Sequence, residues 1–172
     1  PRLAPAAVPA PAPEAIAEAA AILARARRPL IICGRGDNTE RGFGALADFA
    51  SRFAIPVVEF WPSRLSLATD HPLHAGFDVG PWLPEADAVL VLDAMVPWLP
   101  QRHQLPDGCP VIQVGPDPLF STLPMRTFPA TVAIARPSIS CLTGDKLPPA
   151  GTTAAVPDVF AFRQTSSSCG NV

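Results

Sequence analysis

Residues 34 to 36, Gly-Arg-Gly, follow directly on the apolar run PLIIC (29–33). Glycines at the end of a strand let backbone N–H groups approach an anion, and an arginine between them adds a fixed cation, so the stretch has the parts of a phosphate-cradling loop. Glu59 stands about 25 residues further on, at the end of the second apolar run, near where a carboxylate takes ribose hydroxyls in a dinucleotide site. The match to G-x-G-x-x-G is partial, because Thr39 occupies the place of the third glycine. The alternative is that the glycines only turn the chain and Glu59 is a solvated strand end.

Other reactive groups are sparse. His71 and His74 in DHPLH are separated by Pro72, and no third ligand follows at a metal-binding spacing, so they are read as loop residues. Cys33, Cys109, Cys141 and Cys169 form no C-x-x-C pair, and the first two are read as reduced strand residues. There is no G-x-S-x-G elbow and no carboxylate pair set on one element by spacing, so neither a catalytic constellation nor a metal site is expected. Trp61, Trp82 and Trp98 each adjoin a proline and are expected to pack.

The elements that must position the glycine loop follow from periodicity. From Glu14 to about Arg27, Ile16, Ala19, Ala20, Leu23 and Ala24 recur at helical spacing in an alanine-rich segment. PLIIC then reads as a strand buried on both faces. Phe43, Leu46, Phe49, Ala50 and Phe53 define a second helical face, followed by the strand IPVVEF (55–60). Residues 61–84 have no period and form a long connection. ADAVLVLD (86–93), CPVIQVG (109–115) and TVAIA (131–135) are three further strands. Buried-type strands alternating with helices predict an α/β fold: an open, parallel, Rossmann-like sheet of five to six strands with helices on both faces.

The proline- and alanine-rich start (1–12) reads as an interdomain linker, residues 13–135 as one domain, and 136–172 as an irregular tail. A chain opening inside a linker is expected to be part of something longer. With 172 residues, a net charge of -2 and charged residues at 16%, the chain lacks the basic footprint of a nucleic-acid or membrane-surface binder. It has no spanning apolar run either, and a cytoplasmic location is expected.

Four stretches in order, ARRPLIICGRGDNTERGFGALADFASRFAIPVVEF, DHPLHAGF, LPEADAVLVLD and PVIQVGPDPLF, resemble the central domain of thiamine diphosphate-dependent enzymes of the acetolactate synthase and benzoylformate decarboxylase type. The resemblance covers about residues 12–135. It implies a three-domain parent in which thiamine diphosphate and Mg²⁺ are held by the flanking N- and C-terminal domains, in a dimer or tetramer. Such a parent decarboxylates a 2-oxo acid and passes the carbanion to an acceptor, and the central domain alone is inactive. In members that hold FAD or ADP, the nucleotide lies across the strand ends, against the loop matched here by Gly34, Arg35 and Gly36 and against a D-x-D-P turn. This sequence has Gly115 in place of the first acid of that turn and keeps Asp117 and Pro118. Asp93 and Pro97 replace the family's more usual glycine after the third strand and reshape the crevice.

The resemblance therefore implies a crevice of Gly34, Arg35, Gly36, Glu59, Asp93 and Asp117 that is empty and structural. The tail offers Gly144-Asp145-Lys146 and Asn171 against the family's G-D-G and asparagine, but Lys146 replaces a glycine and Pro148-Pro149 blocks a helix, so no magnesium site is expected there. A change of reading frame near residue 136 would account for the tail's departure from the family. Two other readings are a stand-alone nucleotide module for FAD, ADP or NAD, and a subunit that docks on a complete partner.

Overall fold

The computed structural model describes residues 10–37, 39–123 and 128–135, so the tail and its Gly144–Lys146 motif lie outside it. In chain order the elements are α1 (Pro13–Arg25), β1 (Pro29–Cys33), α2 (Glu40–Phe53), β2 (Val57–Glu59), a 3₁₀ turn (Leu83–Glu85), β3 (Ala88–Leu92), β4 (Val111–Gly115) and β5 (Val132–Ala135). The strands form one sheet in the order β2-β1-β3-β4-β5, and every pairing is parallel. β1, β2, β3 and β4 are buried at every position, which is why they read as apolar runs, with Glu59 in β2 and Gln113 in β4 as the buried polar exceptions. β5 alternates buried and exposed residues.

Helix α1 ends two residues short of the expected Arg27. The carboxylate of Asp87 accepts from the backbone N–H groups of Arg27 and Arg28 at 2.7 and 2.8 Å, and Pro29 forces the preceding residue out of helical geometry. That tie joins the start of β1 to the start of β3. β2 is shorter than the apolar run IPVVEF, although Ile31 N–H still bonds to the Pro56 carbonyl. Residues 73–76 of the long connection run beside β2, with a parallel bridge between Val57 and His74, so a sixth edge segment exists without being a full strand. Cys109 lies in the loop before β4, not on the strand.

The two faces of the sheet are covered differently. One packs Ala19, Ile22 and Leu23 of α1 and Leu46, Phe49 and Ala50 of α2 against Ile31, Leu90 and Ile112. Each of these strand side chains, fully buried, contributes about 1.5–3 kcal/mol relative to exposure. The other face carries the 3₁₀ turn and irregular segments, with Val79, Leu83, Trp98 and Phe60 seated on Leu30, Val89 and Val91. Apolar side chains at irregular spacing serve this layer, where an α-helix was anticipated.

Candidate functional site

In an open parallel sheet a ligand enters where the strand order reverses, beyond the carboxyl ends of the strands. Here that point lies between β1 and β3, and the glycine loop stands at it. The two chains do not part there. Gly34 N–H donates to the Leu92 carbonyl at 3.1 Å and Arg35 N–H to the Asp93 carbonyl at 3.1 Å, so the ladder continues past the ends of both strands. Gly34 is required by this approach, since a Cβ on it would lie 2.6 Å from Ala94 Cα.

Side chains then close what the backbone has drawn together. The Arg35 guanidinium grips the Asp93 carboxylate through two bonds, Nη2 to Oδ1 at 2.8 Å and Nε to Oδ2 at 3.0 Å, the bidentate geometry that arginine favours. Asp93 holds a left-handed backbone at φ 45°, and the Arg35 guanidinium also sits 5.4 Å from the centre of the Phe120 ring. A Cβ on Gly115 would come within 3.2 Å of Asp93 Oδ1. An acid at 115 would therefore meet the carboxylate that Arg35 already holds.

The rest of the loop is engaged in the same way. Gly36 has φ 52°, and its missing Cβ would fall 2.0 Å from Ser66 Oγ. Thr39, read above as a weak substitute for a third glycine, is the N-cap of α2: its Oγ1 accepts from Gly42 N–H at 3.0 Å. The Asp37 carboxylate accepts from Thr39 N–H at 3.0 Å, which puts a negative charge beside the helix N-terminus, where a phosphate would otherwise be favoured. Gly42 is the third small position, because a Cβ there would overlap the Asp37 side chain.

Glu59 is not a solvated strand end, as it is fully buried. Its Oε1 accepts from Ser66 N–H, and its Oε2 lies 3.0 Å from His74 Nε2. Ser66 thus ties Glu59 to the glycine loop. Its hydroxyl oxygen is buried. Asp117 serves its own turn, accepting from Ser121 N–H and Oγ at 2.9 and 3.2 Å.

Of the six residues anticipated at the crevice, Gly34, Arg35 and Asp93 meet directly, Gly36 and Glu59 are linked through Ser66, and Asp117 stands in its own turn. Ser66, His74, Phe120 and Gly42 belong to this arrangement as well. The DHPLH spacing flagged His74, though as half of a histidine pair, and no sequence signal marked Ser66. Trp98 and Trp82 pack as anticipated, the first edge-on to Phe128 and the second donating from Nε1 to the Ala75 carbonyl. Trp61 departs: it is 62% exposed, stacked on Phe60, at φ 48°.

Burial and then the nearby Glu59 charge push the Cys33 thiol far up, against partial relief from Ser66. Burial and then Asp87 raise Cys109 to about 11. Both are free cysteines, and neither is a nucleophile at neutral pH. Among the described residues no three His, Cys, Asp or Glu side chains stand together to hold a metal ion.

An open, all-parallel five-stranded sheet joined across its switch point by the Gly34 and Arg35 amides defines a Rossmann-like α/β domain. The chain belongs to the thiamine pyrophosphate enzyme, central domain family, whose model matches residues 16–136. It is 33% identical over 89 residues to oxalyl-CoA decarboxylase of Escherichia coli K12, covering 52% of this chain and 16% of that one. It is 38% identical over 87 residues to 2-hydroxyacyl-CoA lyase 1 of Dictyostelium discoideum, covering 49% and 14%. The thiamine diphosphate-dependent 4-hydroxybenzoylformate decarboxylase of Rhodococcus jostii RHA1 shares the fold at a TM-score of 0.61 and 23% identity, over 87% of this chain and 31% of that one. The chain thus spans about a sixth of the length of the sequence relatives it matches.

Proposed function

We propose that this chain is the non-catalytic central domain of a thiamine diphosphate-dependent parent that cleaves a bond next to the carbonyl of a 2-oxo acid or a related acyl compound. Thiamine diphosphate and Mg²⁺ would be held by flanking domains, and this domain would set their separation and support a homo-oligomer. The names of the relatives, a decarboxylase and a lyase, support the reaction class. The free thiols of Cys33 and Cys109 accord with a reducing, cytoplasmic setting. Among the described residues no helix is long and apolar enough to cross a membrane.

The observation that carries the scaffold reading is the Arg35–Asp93 clamp across the switch point. FAD or ADP would need the loop amides and the arginine, yet the Gly34 and Arg35 N–H groups are spent on β3 and the guanidinium on Asp93. Calorimetric titration of the purified 172-residue chain with FAD, ADP and NAD tests this. The expected result is no binding tighter than about 10 μM, near -7 kcal/mol. Tighter binding of any of the three, or turnover of pyruvate by the chain with thiamine diphosphate and Mg²⁺ added, would overturn the reading.

A further inference from the structure

Among the described residues six large apolar side chains are at least 40% exposed: Trp61, Leu65, Phe77, Met95, Leu119 and Leu123. All six come within eight residues after the carboxyl end of a parallel segment, Trp61 and Leu65 after β2, Phe77 after residues 73–76, Met95 after β3, and Leu119 and Leu123 after β4. The amino end of the sheet differs. Arg27, Arg28, Glu85, Asp87 and Asp107 are exposed there, ahead of β1, β3 and β4. An apolar residue exposed singly is ordinary, but six gathered on one rim mark a contact surface.

The contacts that join the switch point also hold this rim in shape. Ser63 N–H donates to the Gly34 carbonyl at 3.0 Å, Ala94 lies against Gly34, Ser66 lies against Gly36, and the Phe120 ring faces the Arg35 guanidinium. Leu65, Met95 and Leu119 are the chain neighbours of Ser66, Ala94 and Phe120, so they are presented from anchored backbone. Of the four non-glycine residues with left-handed φ among the described residues, three stand here: Trp61 at 48°, Asp93 at 45° and Phe120 at 46°. Such backbone is unfavourable for residues with a Cβ, and it gathers where a surface has work to do.

Resting on the homo-oligomer reading above, we infer that this carboxyl rim is the face through which two copies of the chain pair about a twofold axis. A small molecule needs a concavity that encloses it, and the β1–β3 ladder with the Arg35–Asp93 clamp fills the cleft where one would lie. What remains is an outward-facing apolar rim. Tryptophan, phenylalanine, methionine and arginine are the side chains that anchor protein interfaces, and the rim offers Trp61, Phe77, Met95 and the 40% exposed Arg35. The six apolar side chains together expose on the order of 500 Å², the non-polar share of a standard interface of about 800 Å² per partner. Charge does not oppose self-pairing: Asp93 neutralises Arg35, and Arg64 beside Leu65 is opposite in sign to Asp117 near Leu119. A twofold contact uses one patch on both copies, so this single surface suffices.

The test uses the full 172-residue chain of 18.1 kDa, labelled with ¹⁵N. Sedimentation velocity at about 100 μM should give a particle of twice that mass, dissociating on dilution. Over the same dilution the Trp61 indole N–H and the Met95 and Leu119 amides should shift, while the Arg28 and Asp107 amides at the other end stay fixed. Asparagine tolerates left-handed backbone, so Trp61→Asn should remain folded and raise the dissociation constant at least about thirtyfold, the scale of one interface anchor. A monomer at the starting concentration, a species that grows without limit, or shifts confined to the amino end would each overturn the inference. An unchanged dissociation constant in a folded Trp61→Asn chain would refute it as well, and the wild-type mass and shifts decide the matter if that variant unfolds. None of these outcomes bears on the scaffold reading, which the nucleotide titration decides.

Discussion

Single residues at the strand ends explain why the glycine loop of this domain faces protein. Gly34 lies against Ala94 and Gly36 against Ser66, and each accommodates a neighbour of its own chain. In Gly36→Ala the new methyl would overlap the Ser66 hydroxymethyl group, at a residue already left-handed. The substitution should cost about 2–4 kcal/mol in chemical denaturation, combining overpacking with the left-handed penalty. Adding Ser66→Gly removes the overlap and should restore all but about 1–2 kcal/mol of that loss. Equal instability of the single and double variants would show that Ser66 is not what Gly36 makes room for. The presence of both glycines was legible from sequence, while Ser66, 30 residues away along the chain, carried no mark of its role.

At the level of elements, local chemistry reproduced most of the helices and strands, and long-range contacts moved their ends. Thr39 caps α2 with its hydroxyl, as its residue type favours. The C-terminal end of α2 is closed by Ala54 at φ 51°, a left-handed position where glycine is the usual choice. Ala54→Gly should therefore raise stability by about 0.5–1 kcal/mol, read as a shift in denaturation midpoint with the m-value unchanged. A loss of stability would mean that the alanine methyl is needed for packing. The early end of α1 has a different origin, because Asp87, some 60 residues on, captures the N–H groups of Arg27 and Arg28. No periodicity within α1 could signal that.

Across the whole molecule, alkaline pH is an informative probe, because the chain has no tyrosine and a single lysine, Lys146. Cys109 is raised from an ordinary 9.0 to about 11, and Cys33 is raised further by its burial. A thiol that holds its proton more tightly in the folded state contributes stability that is complete below pH 9 and lost as pH rises through the folded value. Denaturation midpoints should hold from about pH 7 to 8.5 and fall between about 9 and 11. Cys109→Ser should flatten part of that fall. An unchanged fall would place its origin in Cys33 or outside the two thiols.

Composition and periodicity by themselves determined an α/β domain with a parallel sheet, because strands buried on both faces are apolar at nearly every position and amphipathic helices must repeat their apolar residues every three to four positions. They also placed a glycine turn at the end of the first strand. Only the tertiary structure decided whether that turn stays open. The answer depends on Arg35 meeting Asp93, on Gly115 leaving room for that carboxylate, and on Glu59 drawing Ser66 over Gly36. Those pairs are 7 to 58 residues apart and obey no repeat. They arise from how neighbouring strands register against each other, a relation between segments that no single segment encodes.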